Sequence, residues 1–306
     1  MSNAVMVPLD GSEKDARALS VAAAVARLSG SDLSLVRVVD APSERLSAQS
    51  EFIGVDEARV TGRRDVEKQL AETAHRVATD TQRRVTWTVL EGNVSEELIR
   101  HIAERGALVV VMATRAAGLA GRAIRGSLAD PVVRKSPRPV ILAPPGTGDM
   151  SGKHVQLTRV LVPLDGSALA AKSLDFLLAL PRAAELEYLL LEVVPSGTDA
   201  SQAERRLNAA ASRVRALGTR DVQVAVLEGG EPDVSIIAAV RDALVDAIAM
   251  STRGASGLRR MVLGSVAEGI VRRSEVPVLL LTPASLAETD LESSHWASQG
   301  RPSNRS

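Results

Sequence analysis

The segment Val7, Pro8, Leu9, Asp10, Gly11 and Ser12 recurs unchanged as Val162, Pro163, Leu164, Asp165, Gly166 and Ser167, 155 residues further on. An aliphatic run ending on Asp-Gly-Ser, met twice, marks two copies of one folding unit. Val89, Leu90, Glu91 and Gly92 return as Val226, Leu227, Glu228 and Gly229 at an offset of 137. Gly126, Ser127, Pro139 and Val140 return as Gly264, Ser265, Pro277 and Val278 at 138. The fall in offset, roughly 18 residues, assigns copy one a longer loop at about 40–62, and loops of that length are usually functional or disordered. A Pro/Gly/Ser-rich stretch at 143–152 has the composition of a linker. The chain therefore divides into a first domain at 1–146, a linker at 147–156, a second domain at 157–284 and a polar tail at 285–306, expected to be disordered.

Within each copy, short aliphatic runs alternate with helical patterns. In copy one, strands are expected at 4–9, 33–39, 85–90, 108–113 and 140–143, with helices at 13–29, 60–79, 95–105 and 127–135. Continuous aliphatic strands without polar alternation fit a parallel sheet covered on both faces. Each copy is thus expected to be a doubly wound α/β domain with five strands and four helices. With 306 residues and 45% hydrophobic content, two packed cores are within reach.

Composition removes several function classes. Lys+Arg and Asp+Glu both number 37, so there is no basic excess for a nucleic-acid backbone, and aromatic residues at 2% provide almost no base-stacking platform. The absence of Cys excludes disulfides, thiolate metal sites and sulfur nucleophiles. No signal-peptide pattern opens the sequence and no window reaches 18 uninterrupted apolar residues, which makes a soluble cytoplasmic protein with no membrane partner the expectation.

In doubly wound sheets ligands bind at the carboxyl ends of the strands, near the point where strand order reverses. Asp10 and Asp165 each follow a strand and precede a helix. Either carboxylate suits a ligand amino group, and either equally suits an ordinary helix cap. A second constellation follows the strand at 246–250: Ser251, Thr252, Arg253 and Gly254, then nine residues, then Gly264 and Ser265 at the start of a helix. Glycines there would admit phosphate oxygens to backbone amides, and a helix N-terminus favours negative charge. A plain glycine-rich connection with a Ser-capped helix is the competing reading.

Together the Val-Pro-Leu-Asp-Gly-Ser start, the Gly-x2-Gly-x9-Gly-Ser-like segment and the closing Val276, Pro277, Val278 and Leu279 resemble the universal stress protein family. The resemblance implies a tandem member of the ATP-binding type, with domains pairing through their last strands. In copy two it implies Pro163, Leu164, Asp165 and Val193 near adenine, and Met250, Ser251, Arg253, Gly254, Gly264, Ser265 and Val266 around ribose and phosphates. Ser251 replaces the first glycine of the motif. In copy one both early glycines are lost, to Ala113 and Ala116. Alanine costs on the order of 1–2 kcal/mol wherever a left-handed backbone is needed. Pro8, Leu9, Asp10, Val38, Met112, Arg115, Gly126 and Ser127 would remain to hold a nucleoside, so weaker or absent occupancy is expected there.

His75, His101, His154 and His295 are far apart in sequence, show no metal-ligand spacing and read as surface or capping residues. Ser12 and Ser167 read as helix caps, no Walker lysine follows the final glycine, and no carboxylate cluster is evident for Mg²⁺. Binding of ATP, with or without Mg²⁺, by a stress-response regulator or sensor is the leading expectation, with no catalytic residues and at most slow, incidental hydrolysis. A nucleotide-independent interaction module of the same fold and a weak ATPase or self-phosphorylating protein are the alternatives. The terminal runs 139–143 and 276–281 would leave open edges, so the two copies are expected to pair as an intrachain pseudo-dimer; a further homodimer and an unidentified regulatory protein are the other partners considered.

Overall fold

A computed structural model describes residues 4–39, 54–114, 128–145, 147, 155–219, 221–252, 263–282 and 284–285, with side chains in the first helix turns at 54–61 left aside. Copy one runs β1 (Val5–Pro8), α1 (Asp15–Ser29), β2 (Leu33–Val39), α2 (Gly54–Thr81), β3 (Val85–Glu91), α3 (Val94–Arg105), β4 (Val109–Ala113), α4 (Ala129–Lys135) and β5 (Val140–Ala143). Copy two repeats the plan as β6 (Arg159–Pro163), α5 (Ala168–Leu178), a short 3₁₀ turn (Ala183–Glu185), β7 (Glu187–Val194), α6 (Ser201–Arg215), β8 (Val222–Glu228), α7 (Pro232–Asp242), β9 (Ala247–Ser251), α8 (Ser265–Arg273) and β10 (Val278–Leu281).

The strands form one sheet in the order β3-β2-β1-β4-β5-β10-β9-β6-β7-β8. Every neighbouring pair is parallel except β5 and β10, which run antiparallel with Ile141 opposite Leu279. The last strand of each copy thus covers the edge of the other, which removes two aliphatic edges from water and joins the halves in one hydrogen-bonded ladder. Strand alternation sends Val5 and Val7 to one face and Met6 to the other. One hydrophobic cluster lies under α1, α2, α5 and α6, the second under α3, α4, α7 and α8, and each contains residues of both copies. Two cores are present as expected from composition, but they are divided by sheet face rather than by copy, because the β5–β10 seam makes both faces continuous.

Local signals account for the helix ends. Asn93 caps α3, its side-chain oxygen accepting from the Ser95 and Glu96 amides at 3.2 Å each, and Gly106 closes that helix in the left-handed region. α2 begins at Gly54 rather than near residue 60, so part of the segment expected to be loop is helix. That N-terminal portion carries Val55, Ala58 and Val60 among charged residues, a pattern too weakly periodic to have been read as helix. The cores are built from small aliphatic residues, with Tyr188 the largest fully buried side chain among the described residues. No helix among the described residues is long and apolar enough to cross a membrane.

Candidate functional site

The carboxyl ends of β6 and β9 lie side by side where strand order reverses, with β7 on the far side of β6. After β6 the chain turns through Asp165 and Gly166, and Asp165 Oδ1 accepts the Ser167 amide at 3.0 Å. Gly166 has φ +78°, a conformation open to glycine at little cost. Ser167 Oγ then accepts the Ala170 amide at 3.1 Å, capping α5 as the sequence suggested. Copy one builds the same turn: Asp10 Oδ1 accepts the Ser12 amide at 2.9 Å and Gly11 has φ +80°. There the resemblance between copies ends. Ser12 does not cap α1: its hydroxyl is buried and, among the described residues, has no hydrogen-bond partner. Instead the Asp15 carboxylate turns back to accept the amides of Asp10 (3.2 Å) and Gly11 (2.7 Å). Burial pushes its pKa up to about 6, against the pull of those amides and of Arg37.

At the other strand end, the Gly264 amide donates to the Thr252 carbonyl at 2.8 Å, and the Thr252 amide donates to the Leu281 carbonyl at 2.8 Å. These two bonds fix the N-terminus of α8 against the carboxyl end of β9 on its β10 side, so the first-turn amides of α8 start at the carboxyl edge of the sheet next to the strand-order reversal. Ser265, at the first position of α8, is exposed, while the Thr252 hydroxyl is fully buried with no hydrogen-bond partner among the described residues. Gly264 has an ordinary backbone conformation, with φ −68° and ψ 159°. An added Cβ would meet the Thr252 carbonyl at 3.5 Å, so this glycine is not demanded by a left-handed turn. Its amide is bonded to Thr252 and closes the loop.

The family model described as "Universal stress protein family" matches residues 1–144 and again 156–282. The chain belongs to the universal stress protein family. Universal stress protein Slr1230 of Synechocystis is 28% identical over 156 residues, an alignment covering 50% of each chain, so this match spans about half the relative's length. Universal stress protein YxiE of Bacillus subtilis is 26% identical over 144 residues, 40% of this chain and 97% of the relative. Among solved structures, a universal stress protein from Archaeoglobus fulgidus aligns over 92% of this chain and 98% of its own with a TM-score of 0.69 at 24% identity, a likeness of fold.

Within this universal stress protein fold, the nucleotide-binding candidates sort by sheet face. Val38, Met112, Val193, Met250 and Val266 pack with the cluster under α3, α4, α7 and α8. Leu9 and Leu164 pack with the opposite cluster, so their side chains do not join that group; their place at the strand ends is a backbone one. Pro8 and Pro163 close their strands, Asp10 and Asp165 are exposed, and Ser251 is buried at the end of β9. Arg115, Gly126, Ser127, Arg253 and Gly254 lie outside the described residues, as do His154 and His295. His75 is exposed as expected, whereas His101 is buried at 5% exposure on the inner face of α3, correcting its assignment to the surface; burial and nearby Arg105 lower its pKa. Among the described residues no group of His, Cys, Asp and Glu is placed to hold a metal ion.

Sequence reasoning passed over the charged residues beneath the two first turns. In copy two, Arg206 of α6 forms a two-pronged ion pair with Glu192 of β7, which is only 5% exposed, and lies against Gly166. In copy one, Arg37 of β2 lies against Gly11 and reaches Gln69 of α2. The offsets of 155 and 137 equate Arg37 with Glu192 and Gln69 with Arg206. Aligning the copies through those offsets would have exposed the exchange.

Proposed function

We propose that this universal stress protein binds an adenine nucleotide, ATP in the first instance, in copy two, and acts as a regulator or sensor by ligand-dependent stabilisation rather than by turnover. The observation that carries the reading is the Gly264–Thr252 hydrogen bond. It fixes the first turn of α8, with the exposed Ser265 hydroxyl, against the carboxyl end of β9, which is the neighbour of β6 at the strand-order reversal. A phosphate chain at that helix end and a base towards Asp165 and Val193 use the crevice where such sheets bind ligands. The buried, unpartnered Thr252 hydroxyl is a further group in the loop that a ligand or water would satisfy. Pro163, Leu164, Met250, Ser251 and Val266 complete the described part of the site, with Arg253 and Gly254 assigned to the phosphates on sequence alone. Copy one is the weaker site, since both early loop glycines are replaced there.

The test is isothermal titration of the full chain with ATP, in parallel with Ser265→Glu. Glutamate at the first helical position suits the helix dipole, so the variant folds, but it sets a negative charge where phosphate would lie. Binding near one equivalent that weakens roughly tenfold or more, about 1.4 kcal/mol, in Ser265→Glu supports the site. Ligand at a hundred times Kd adds about 2.7 kcal/mol to the folded state, which thermal unfolding reads directly. Wild-type protein giving neither heat nor a thermal shift would favour the nucleotide-independent interaction module, a reading that rests on the three substituted early glycine positions of the two loops.

A further inference from the structure

The duplication provides an internal control for the ground beneath each first turn. In copy two that ground is closed: Glu192 and Arg206 pair, Ser167 caps α5, and Ala170 has no side-chain polar group. In copy one the same positions hold Arg37, Gln69, Ser12 and Asp15, and they do not satisfy one another. Arg37 has no ion pair among the described residues, and its hydrogen-bond partner is the neutral Gln69 Oε1 at 3.4 Å. Asp15 commits one oxygen to the Asp10 amide and the other to the Gly11 amide. The Ser12 hydroxyl is buried and unpartnered among the described residues. These groups line a cavity of about 360 Å³ between α1 and α2, with Leu9, Leu19 and Leu70 and the charged Glu13 and Arg76 also in its wall.

Arg37 is partly exposed and feels the Asp15 carboxylate without forming an ion pair with it, and its planar fork has donors beyond the Gln69 bond to match an oxyanion with two oxygens. The leucines make a bare inorganic ion a poor fit and an aliphatic body a good one. We propose that copy one holds a ligand site for a small organic carboxylate, its anionic group on Arg37 and its aliphatic body towards Leu19 and Leu70. Leu19 and Leu70 belong to the cluster under α1 and α2, on the opposite face of the sheet from Val38 and Met112, so this site is separate from the proposed nucleotide site. Copy two cannot hold the same ligand in this way because Glu192 already supplies the carboxylate to Arg206.

The experiment titrates the full chain with 4-methylpentanoate, read by saturation-transfer NMR and calorimetry, with 4-methylpentanamide as the uncharged isostere. Arg37→Gln and Gln69→Glu are the variants; the second gives Arg37 the carboxylate partner that its counterpart has in copy two, at an exposed helix position that tolerates the change. The site predicts saturable binding of the acid, weakened roughly tenfold or more by either variant and by the amide, and unchanged by saturating ATP. Absence of binding, equal binding by Gln69→Glu, equal binding of the amide, full competition by inorganic phosphate, or displacement by ATP would each overturn it. The last outcome places the acid in the nucleotide site, while failure of ATP itself to bind leaves the acid titration interpretable, so the two proposals stand or fall separately.

Discussion

Gly269→Ala sets two known effects against each other at the base of the candidate phosphate site. Gly269 lies inside α8, where alanine is favoured over glycine by about 1 kcal/mol on helix propensity alone. Space decides otherwise. A Cβ on Gly269 would fall within the carboxylate of Asp233 in α7 and 2.8 Å from the Asp233 Cβ. Because the Asp233 Cβ is itself too close, rotation of the carboxylate cannot clear the contact, and α7 and α8 must separate. Overpacking of this kind costs about 1–3 kcal/mol. The Asp233–Arg273 ion pair, whose carboxylate is only 13% exposed, is lost with it, and disrupting a largely buried pair adds about 1–2 kcal/mol after allowance for the solvent reaching Arg273. The net expectation is a loss of roughly 2–3 kcal/mol, read as a lowered urea midpoint with little change in slope. Asp233→Ala in the Gly269→Ala background removes the carboxylate overlap but keeps the Cβ at 2.8 Å, so it should recover only the part of the loss due to the carboxylate, giving a favourable coupling of about 1 kcal/mol in the double-mutant cycle. A Gly269→Ala protein at least as stable as wild type would refute the reasoning, as would a double variant in which the two losses add.

Three further outcomes follow from the charges. Asp15 binds its proton more tightly folded than unfolded, from 3.8 to about 6, so its contribution is most favourable at low pH and declines as pH rises through 4–6. The full shift corresponds to about 3 kcal/mol, reduced to roughly 1–2 by the solvent at this partly exposed group; Asp15→Asn should flatten that part of the pH–stability profile, while its amide nitrogen leaves one of the Asp10 and Gly11 amides without an acceptor. Arg206→Leu strands the buried Glu192 carboxylate, so about 2–3 kcal/mol should be lost in urea unfolding, whereas Glu192→Leu/Arg206→Leu should recover most of it; a double variant no more stable than Arg206→Leu would contradict the pairing. His101, held neutral by burial, stabilises the fold above the ordinary histidine range and loses that contribution as pH falls, a dependence that His101→Leu should abolish in acid titration followed by circular dichroism.

The repeat, the strand–helix alternation and the Asp-Gly-Ser turns were legible because each is written in contiguous residues. β1 to β5 were expected within a residue or two of where they lie, since aliphatic runs of that length and bounded by turns have few other uses. The start of α2 was missed because Gly54 and the charged residues after it lack a clear apolar stripe, and helix there is decided by context. Spacing singled out Asp165 and Gly264–Ser265 as candidates, but the division of the candidates between sheet faces was not legible: Leu164 is adjacent to Asp165 in sequence and still packs with the opposite cluster from Val193. Gly264 was expected to let backbone amides approach phosphate oxygens, and what the sequence did not show is that its own amide closes the loop on Thr252.

The sequence by itself determined that two α/β units lie in tandem and that the phosphate-loop motif is better kept in the second, because repetition, periodicity and glycine positions are properties of the chain as written. Tertiary structure decided that the two units share one ten-stranded sheet with a core on each face, that Ser167 caps a helix while Ser12 does not, and that Arg37 lacks the carboxylate that Arg206 has. These depend on which side chains of distant segments meet across α2–β2 and α6–β7, and exchanging a charge between strand and helix leaves every local pattern intact while changing what is satisfied and what is left for a ligand.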